Sequence, residues 1–113
     1  MIREYASPRE YLDDLIAQGE RLASRHHRAS SSPHDDLAER AVAELGLEIE
    51  RMDELIRGRC EATVEVGTVL PLDRMRRAFQ LSVTEMRVIE VLVALELSAQ
   101  VRQVAAPYLG ANG

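Results

Sequence analysis

The sequence predicts a mainly α fold, and three observations support that prediction. Apolar residues recur at helical spacing along most of the chain, and serine or proline residues stand where helices should begin. The 113 residues include no Trp and one Phe, so the core must be built from aliphatic side chains, which favours helices over a β sandwich. With 46% hydrophobic and 29% charged residues, the composition is that of one ordinary globular domain.

The first predicted helix runs from Pro8 to about His27. Ser7 is placed to cap it, Pro8 suits the first helical position, and Glu10 completes a capping box. The segment from Ala29 to Ser32 is predicted to be a short flexible linker. The apolar stripe of this helix consists of Leu12, Leu15, Ile16, Leu22 and Ala23.

The second predicted helix repeats this start with Ser32 to Asp35 and ends near Gly58. Its apolar residues alternate in steps of four and three, which is the spacing of a coiled-coil seam. The two helices should therefore form an antiparallel hairpin over residues 8–58, with Tyr5 and Tyr11 packed at its open end. The seam consists of Ala38, Val42, Leu45, Ile49, Met52 and Ile56.

The second half, residues 63–109, is predicted to be a compact three-helix unit within the same single domain, residues 1–113. Thr63 to Val69 is β-branched and partly alternating, so it indicates a short strand or an extended link. Helices should then follow from Pro71 to about Phe79, from Val83 to about Leu97, and from Ser98 to about Tyr108.

The helix from Val83 to Leu97 is predicted to be the central helix of the domain. The capping box formed by Ser82 and Glu85 sets its start. Its apolar residues lie on nearly every face, and a helix of that kind is usually buried. The residues expected to hold the fold are Ile89, Leu92 and Val93.

Composition excludes several function classes. The sequence contains 14 Arg and no Lys, so the segment has no lysine for a phosphate-binding loop or for a Schiff base. The net charge of −5 argues against a general nucleic-acid or anionic-membrane binder. The single Cys60 cannot form an intramolecular disulfide, which suits a reducing cytoplasm, and no apolar run is long enough for a membrane span. We predict a cytoplasmic protein.

No residue pattern in this segment predicts a catalytic, cofactor-binding or metal-binding site. His26 and His27 are adjacent, so they point to different faces of a helix, and His34 does not complete a zinc-ligand spacing. Cys60 has no neighbouring His and is predicted to be structural. No metal or nucleotide is therefore expected to bind here.

One local basic cluster is our candidate partner-docking surface. With the capping box beside it, the cluster is also typical of helix-turn-helix regions in bacterial transcription factors, where residues 98–108 would form the recognition helix. That helix has few polar positions, and the net charge is negative, so we favour protein docking over DNA binding. The cluster consists of Arg74, Arg76, Arg77 and Arg87.

The string RRAFQLSVTEMRVI, from Arg76 to Ile89, is followed by ALEL, from Ala94 to Leu97. This pattern resembles the N-terminal helical, winged-helix-type domain that precedes the ATPase module in certain bacterial AAA+ proteins. Some of these ATPases are encoded beside phage-tail-like contractile injection systems. The resemblance implies a parent protein that binds ATP and magnesium and remodels protein assemblies as a ring. None of the nucleotide-binding motifs of the family has a matching position in this segment.

The resemblance implies a non-catalytic N-terminal docking or regulatory domain, and the alternative is a helix-turn-helix DNA-binding transcriptional regulator. The expected partner is another protein or the ATPase module of the parent itself. Neither nucleic acid nor a membrane is an expected partner. A weak homodimer that forms through a residual apolar edge is an alternative that stays open. Because a winged-helix domain would still need its wing after Gly113, we favour a fragment of a longer protein. Enzymatic activity would belong to the parent.

Overall fold

The computed structural model describes residues 2–31 and 36–106, and these residues contain five α-helices. No strand occurs in these residues, so the mainly α prediction is confirmed. Along the chain the helices are α1 (Pro8–Ser31), α2 (Asp36–Glu65), α3 (Pro71–Ala78), α4 (Val83–Leu97) and α5 (Ala99–Ala105).

The long helices α1 and α2 form the predicted antiparallel pair. Arg59, near the end of α2, makes ion pairs with Glu10 and Asp14, near the start of α1. Farther along, Arg21 Nε of α1 lies 3.4 Å from Glu48 Oε1 of α2. Ion pairs in this order require the two helices to run in opposite directions. Two residues of the predicted seam, Ile49 and Ile56, are buried, which confirms that this stripe of α2 faces the core.

The open end of the pair holds an aromatic cluster, as predicted. Tyr5 and Tyr11 are both buried, and their ring centroids lie 5.2 Å apart. The guanidinium carbon of Arg59 lies 4.0 Å from the centroid of the Tyr5 ring, a cation–π contact. The Tyr5 hydroxyl donates a hydrogen bond to Asp14, at 2.8 Å. These contacts fix the extended N-terminal residues against the start of α1 and the end of α2.

The predicted strand from Thr63 to Val69 is wrong, because α2 continues past Gly58 to Glu65. Thr63 is fully buried, and its hydroxyl donates to the carbonyl of Arg59 while it accepts from the backbone N–H of Tyr5. These contacts outweigh the preference of β-branched residues for strands. The helix ends in a Schellman motif, in which Gly67 has φ +82° and the N–H of Thr68 donates to the carbonyl of Thr63.

The start signals read from the sequence are mostly confirmed. Ser82 Oγ accepts from the backbone N–H of Glu85 at 3.1 Å, and Glu85 Oε1 accepts from the N–H of Ser82 at 3.0 Å. The hydroxyl oxygens of Ser7 and Ser98 accept the backbone N–H of Glu10 and of Val101, and they cap α1 and α5. The helix α1 continues through Ser31, past the predicted end at His27. The second predicted start, 32–35, and the chain beyond 106 lie outside the described residues.

The central helix is α1, not α4 as predicted. α1 packs against α2, α4 and α5, and its Leu15 and Gln18 are fully buried. α4 packs against α1 and α5 and buries Glu90 and Ala94 along one side. Because α2 occupies another side of α1, it does not cover the outer side of α4. Leu92, expected in the core, is 55% exposed, and Ile89 and Val93 are half-buried.

Candidate functional site

Two of the four predicted docking arginines bind a buried carboxylate within their own helix. The side chain of Asp73 in α3 is almost fully buried, with 2% of its surface exposed. Arg76 Nη2 lies 2.8 Å from Asp73 Oδ1, and Arg77 Nε lies 2.9 Å from Asp73 Oδ2. Charge-assisted bonds of this length compensate for the burial of the carboxylate. Arg76 and Arg77 therefore have a structural role in α3, although both remain partly exposed.

Arg87, the third of these arginines, connects two helices. Its Nη2 donates to Asp53 Oδ2 at 2.8 Å, which joins α4 to α2. The other oxygen of Asp53 accepts from Gln18 Nε2 at 2.7 Å, and the same amide donates to the carbonyl of Ile49 at 2.8 Å. This network links α1, α2 and α4 through polar groups that have hydrogen-bond partners. Arg87 thus binds a different carboxylate from the one that the arginines of α3 bind.

Arg74 is exposed and has no carboxylate within 4.0 Å among the described residues. It stands between two shallow hollows beside α3, with volumes of about 260 and 350 Å³. Both hollows are lined by Val69 and Arg74. The first also includes Val64 and Arg77, and the second includes Phe79, which is 72% exposed. Arg74 and Arg77 therefore lie among exposed apolar side chains.

The outer side of α4 is an apolar surface that we name the α4 face. It consists of Val88 and Leu92, which are 54% and 55% exposed and lie one helical turn apart. The exposed residues Glu85 and Glu96 stand toward its two ends. The sequence does not predict this face, because apolar residues on every side of a helix usually indicate burial within the same chain. The same pattern also arises when another molecule covers one side.

A family model described as "Winged helix domain, variant" matches residues 1–110. The chain belongs to this family. No curated protein and no solved structure matches it. The winged-helix part of the resemblance is thereby confirmed. In the described residues of this winged helix domain the fold consists of helices, without a stranded wing.

A small, partly open cavity of about 90 Å³ lies between α1, α2, α3 and α4 of the winged helix domain. Ligand sites usually measure roughly 300–1,000 Å³, so this space suits a few water molecules rather than a nucleotide. Among its lining groups, burial raises the pKa of the Cys60 thiol to about 12, and the negative charge of Asp73 adds to that shift. A thiol so hard to ionise is a poor nucleophile, which agrees with a structural role for Cys60.

Glu90 also lines this cavity and is buried on the inner side of α4. Burial and, to a smaller extent, the nearby charge of Asp53 raise the pKa of its carboxyl group, Arg87 lowers it, and the resulting pKa is about 7. The group is therefore partly protonated at neutral pH. A buried carboxyl group with such a pKa affects the stability of the fold, as developed below.

The described residues contain no cluster of three or more His, Cys, Asp or Glu side chains that could hold a metal ion. Of the predicted surface histidines, His26 and His27 are exposed, and His34 lies outside the described residues. None of the helices in the described part of the chain is long and apolar enough to cross a membrane.

Proposed function

We propose that this winged helix domain is a non-catalytic docking domain of an AAA+ ATP-binding protein. The α4 face is the proposed docking surface, and its exposure is the observation that carries the proposal. Burying an aliphatic side chain of this size contributes roughly 1.5–3 kcal/mol. Val88 and Leu92 are 54% and 55% exposed, so roughly half of that contribution from each remains available for association.

The proposed occupant of the α4 face is the ATPase module of the same polypeptide. The last described helix, α5, packs against α1 and α4, so the described chain ends beside this part of the fold. The resemblance to AAA+ N-terminal domains rests on residues 76–89 and 94–97, which include most of α4. An apolar contact between the domain and the motor would let partner binding affect the motor.

Docking to protein is better supported than docking to DNA. Arg76, Arg77 and Arg87 each lie against a carboxylate, which offsets their charge. DNA binding by winged helix domains remains the competing function, because α5 exposes polar side chains that could reach base edges. These are Gln100, Arg102 and Gln103.

The reading frame that encodes this chain provides the first test. We expect it to continue past codon 113 into a Walker A motif, Gly-x-x-x-x-Gly-Lys-Ser/Thr, which cradles the phosphates of ATP. The motif in the same frame would support an AAA+ parent. A frame that ends without a nucleotide-binding module would refute that part of the proposal.

A gel-shift titration with duplex DNA at low and physiological salt tests the competing function. Phosphate-driven binding weakens steeply as salt rises. We expect no retained duplex at physiological salt, and no difference between the parent chain and Arg102→Glu. Tight binding at physiological salt that Arg102→Glu abolishes would establish DNA binding in place of protein docking.

A further inference from the structure

We infer that the two hollows beside α3 form a second docking site, which binds a protein segment carrying a carboxylate between two apolar side chains. We name this site the α3 groove, and we define it by Val64, Val69, Arg74, Arg77 and Phe79. The inference rests on the proposed docking function and adds a partner class to it. The α3 groove and the α4 face share no residue.

The α3 groove combines two apolar subsites with a positive charge, which suits a bound segment that has an acidic residue between two apolar residues. The hollows measure about 260 and 350 Å³, and each is large enough for one aliphatic side chain. Val69 and Phe79 are 56% and 72% exposed, so both would lose water-exposed apolar surface when a segment binds. Arg74 and Val69 line both hollows, so the guanidinium group of Arg74 borders both apolar subsites.

The charge of the α3 groove identifies its ligand as acidic. Arg74 has no carboxylate within 4.0 Å among the described residues. Arg77 and Asp73 line the first hollow as an ion pair, so Arg74 supplies its uncompensated positive charge. The chain as a whole is acidic, with 19 Asp and Glu against 14 Arg. An acidic segment would thus be repelled by most of the surface and attracted to this part. The apolar walls favour a carboxylate on a peptide over a bare phosphate.

Contacts within the fold hold two parts of the α3 groove in place. Its first wall is fixed by the Schellman motif at Gly67, and its floor is fixed by the ion pairs of Asp73 with Arg76 and Arg77. Asp73 also holds Arg77 at the rim of the first hollow. A preorganised site loses less conformational entropy on binding than a flexible one.

An NMR titration of the ¹⁵N-labelled chain tests the inference. The probe is a short synthetic peptide in which Asp and Leu alternate, and it is compared with matched peptides that carry Lys for Asp or Ser for Leu. We expect saturable shifts of amides in residues 64–79 with the Asp/Leu peptide alone. Arg74→Glu should weaken binding about tenfold. Phe79→Ala should weaken it as well, because an apolar wall is lost.

Two variants serve as matched controls for these substitutions. Arg51→Glu makes the same charge change at an exposed position of α2, and Leu47→Ala truncates an exposed apolar side chain of α2. Both should bind the Asp/Leu peptide as the parent chain does. If Arg51→Glu weakens binding as much as Arg74→Glu, attraction to the whole chain explains it and the α3 groove is excluded.

Three further outcomes would overturn the inference. They are shifts that do not saturate, equal binding of the Lys/Leu peptide, and equal or tighter occupation of residues 64–79 by duplex DNA. The proposed function would survive the first two, because the α4 face is tested separately by the protection of residue 92 described below. If residue 92 is not protected from labelling but the peptide binds saturably, docking through the α4 face is refuted and the α3 groove is supported.

Discussion

Gly19 of α1 lies directly against Ala94 of α4. A Cβ atom added to Gly19 would stand 2.6 Å from the Cβ of Ala94 and 2.5 Å from the carbonyl oxygen of Glu90. Ala94 is fully buried, and the second contact is to backbone. Neither neighbour can move away without separating the helices. The close crossing of α1 and α4 therefore depends on the absence of a side chain at residue 19.

We predict that Gly19→Ala lowers the free energy of unfolding by about 1–3 kcal/mol, the usual cost of overpacking. Gly46 of α2 provides the control, because the nearest atom to its added Cβ is the flexible Arg25 Nη1 at 3.9 Å. Gly46→Ala should raise the free energy by about 0.5–1 kcal/mol, since alanine is the better helix former. Urea unfolding of both variants measures the difference. A stabilising effect of both would show that the α1–α4 contact is looser.

The second prediction concerns pH and Glu90. Its pKa of about 7 in the folded chain lies above the ordinary value of 4.5, so folding favours the neutral carboxyl. At low pH the carboxyl is neutral in both states and costs nothing. As pH rises from about 4.5 to about 7, the Glu90 carboxyl ionises in the unfolded chain but stays largely neutral in the folded chain. Glu90 therefore increasingly destabilises the fold over this range. Above that range the penalty stays constant.

Glu90→Gln should therefore stabilise the protein at neutral and higher pH, by roughly 3 kcal/mol, and change little near pH 4.5. Unfolding free energies of parent and variant across this pH range provide the measurement. Glu50→Gln is the control, because Glu50 is exposed on α2 and the change should stay within about 0.5 kcal/mol throughout. A stability difference for Glu90→Gln that does not vary with pH would show that Glu90 ionises normally in the fold.

The third prediction concerns the contact between Thr63 and the N-terminal residues. The Thr63 hydroxyl accepts the backbone N–H of Tyr5 at 2.8 Å. Thr63→Val keeps the shape but leaves that buried N–H without a partner, which should cost about 1–3 kcal/mol. Thr84→Val makes the same change at an exposed position of α4 and should cost less than about 0.5 kcal/mol. Thermal unfolding compares them, and equal costs would contradict the assigned role of Thr63.

Local signals in the sequence were sufficient for much of the fold. Serine and proline start signals placed α1, α3, α4 and α5, because a cap depends on residues three apart in the chain. The four-three seam placed Ile49 and Ile56 in the core, because one helix needs only one buried stripe. These features are decided by neighbours in sequence.

Tertiary contacts decided the features that the sequence did not predict. Thr63 is helical because Tyr5, far away in sequence, binds its hydroxyl, and no local pattern reports that contact. The four arginines looked like one surface cluster, but Asp53 and Asp73 bind three of them. Only the packed structure shows that α2 and α4 lie on different sides of α1, which leaves Leu92 exposed.

Thiol labelling at residue 92 tests the docking function most directly. Cys60 is the single cysteine and is buried, so the parent chain should react slowly with a maleimide. Leu92→Cys should react rapidly in the isolated domain, because residue 92 is more than half exposed. In a longer protein in which the proposed ATPase module follows this domain, we predict labelling slower by roughly tenfold or more, because docking excludes water and reagent. Glu50→Cys on α2 should react equally in both forms. Equal labelling of residue 92 in the two forms would contradict docking through the α4 face.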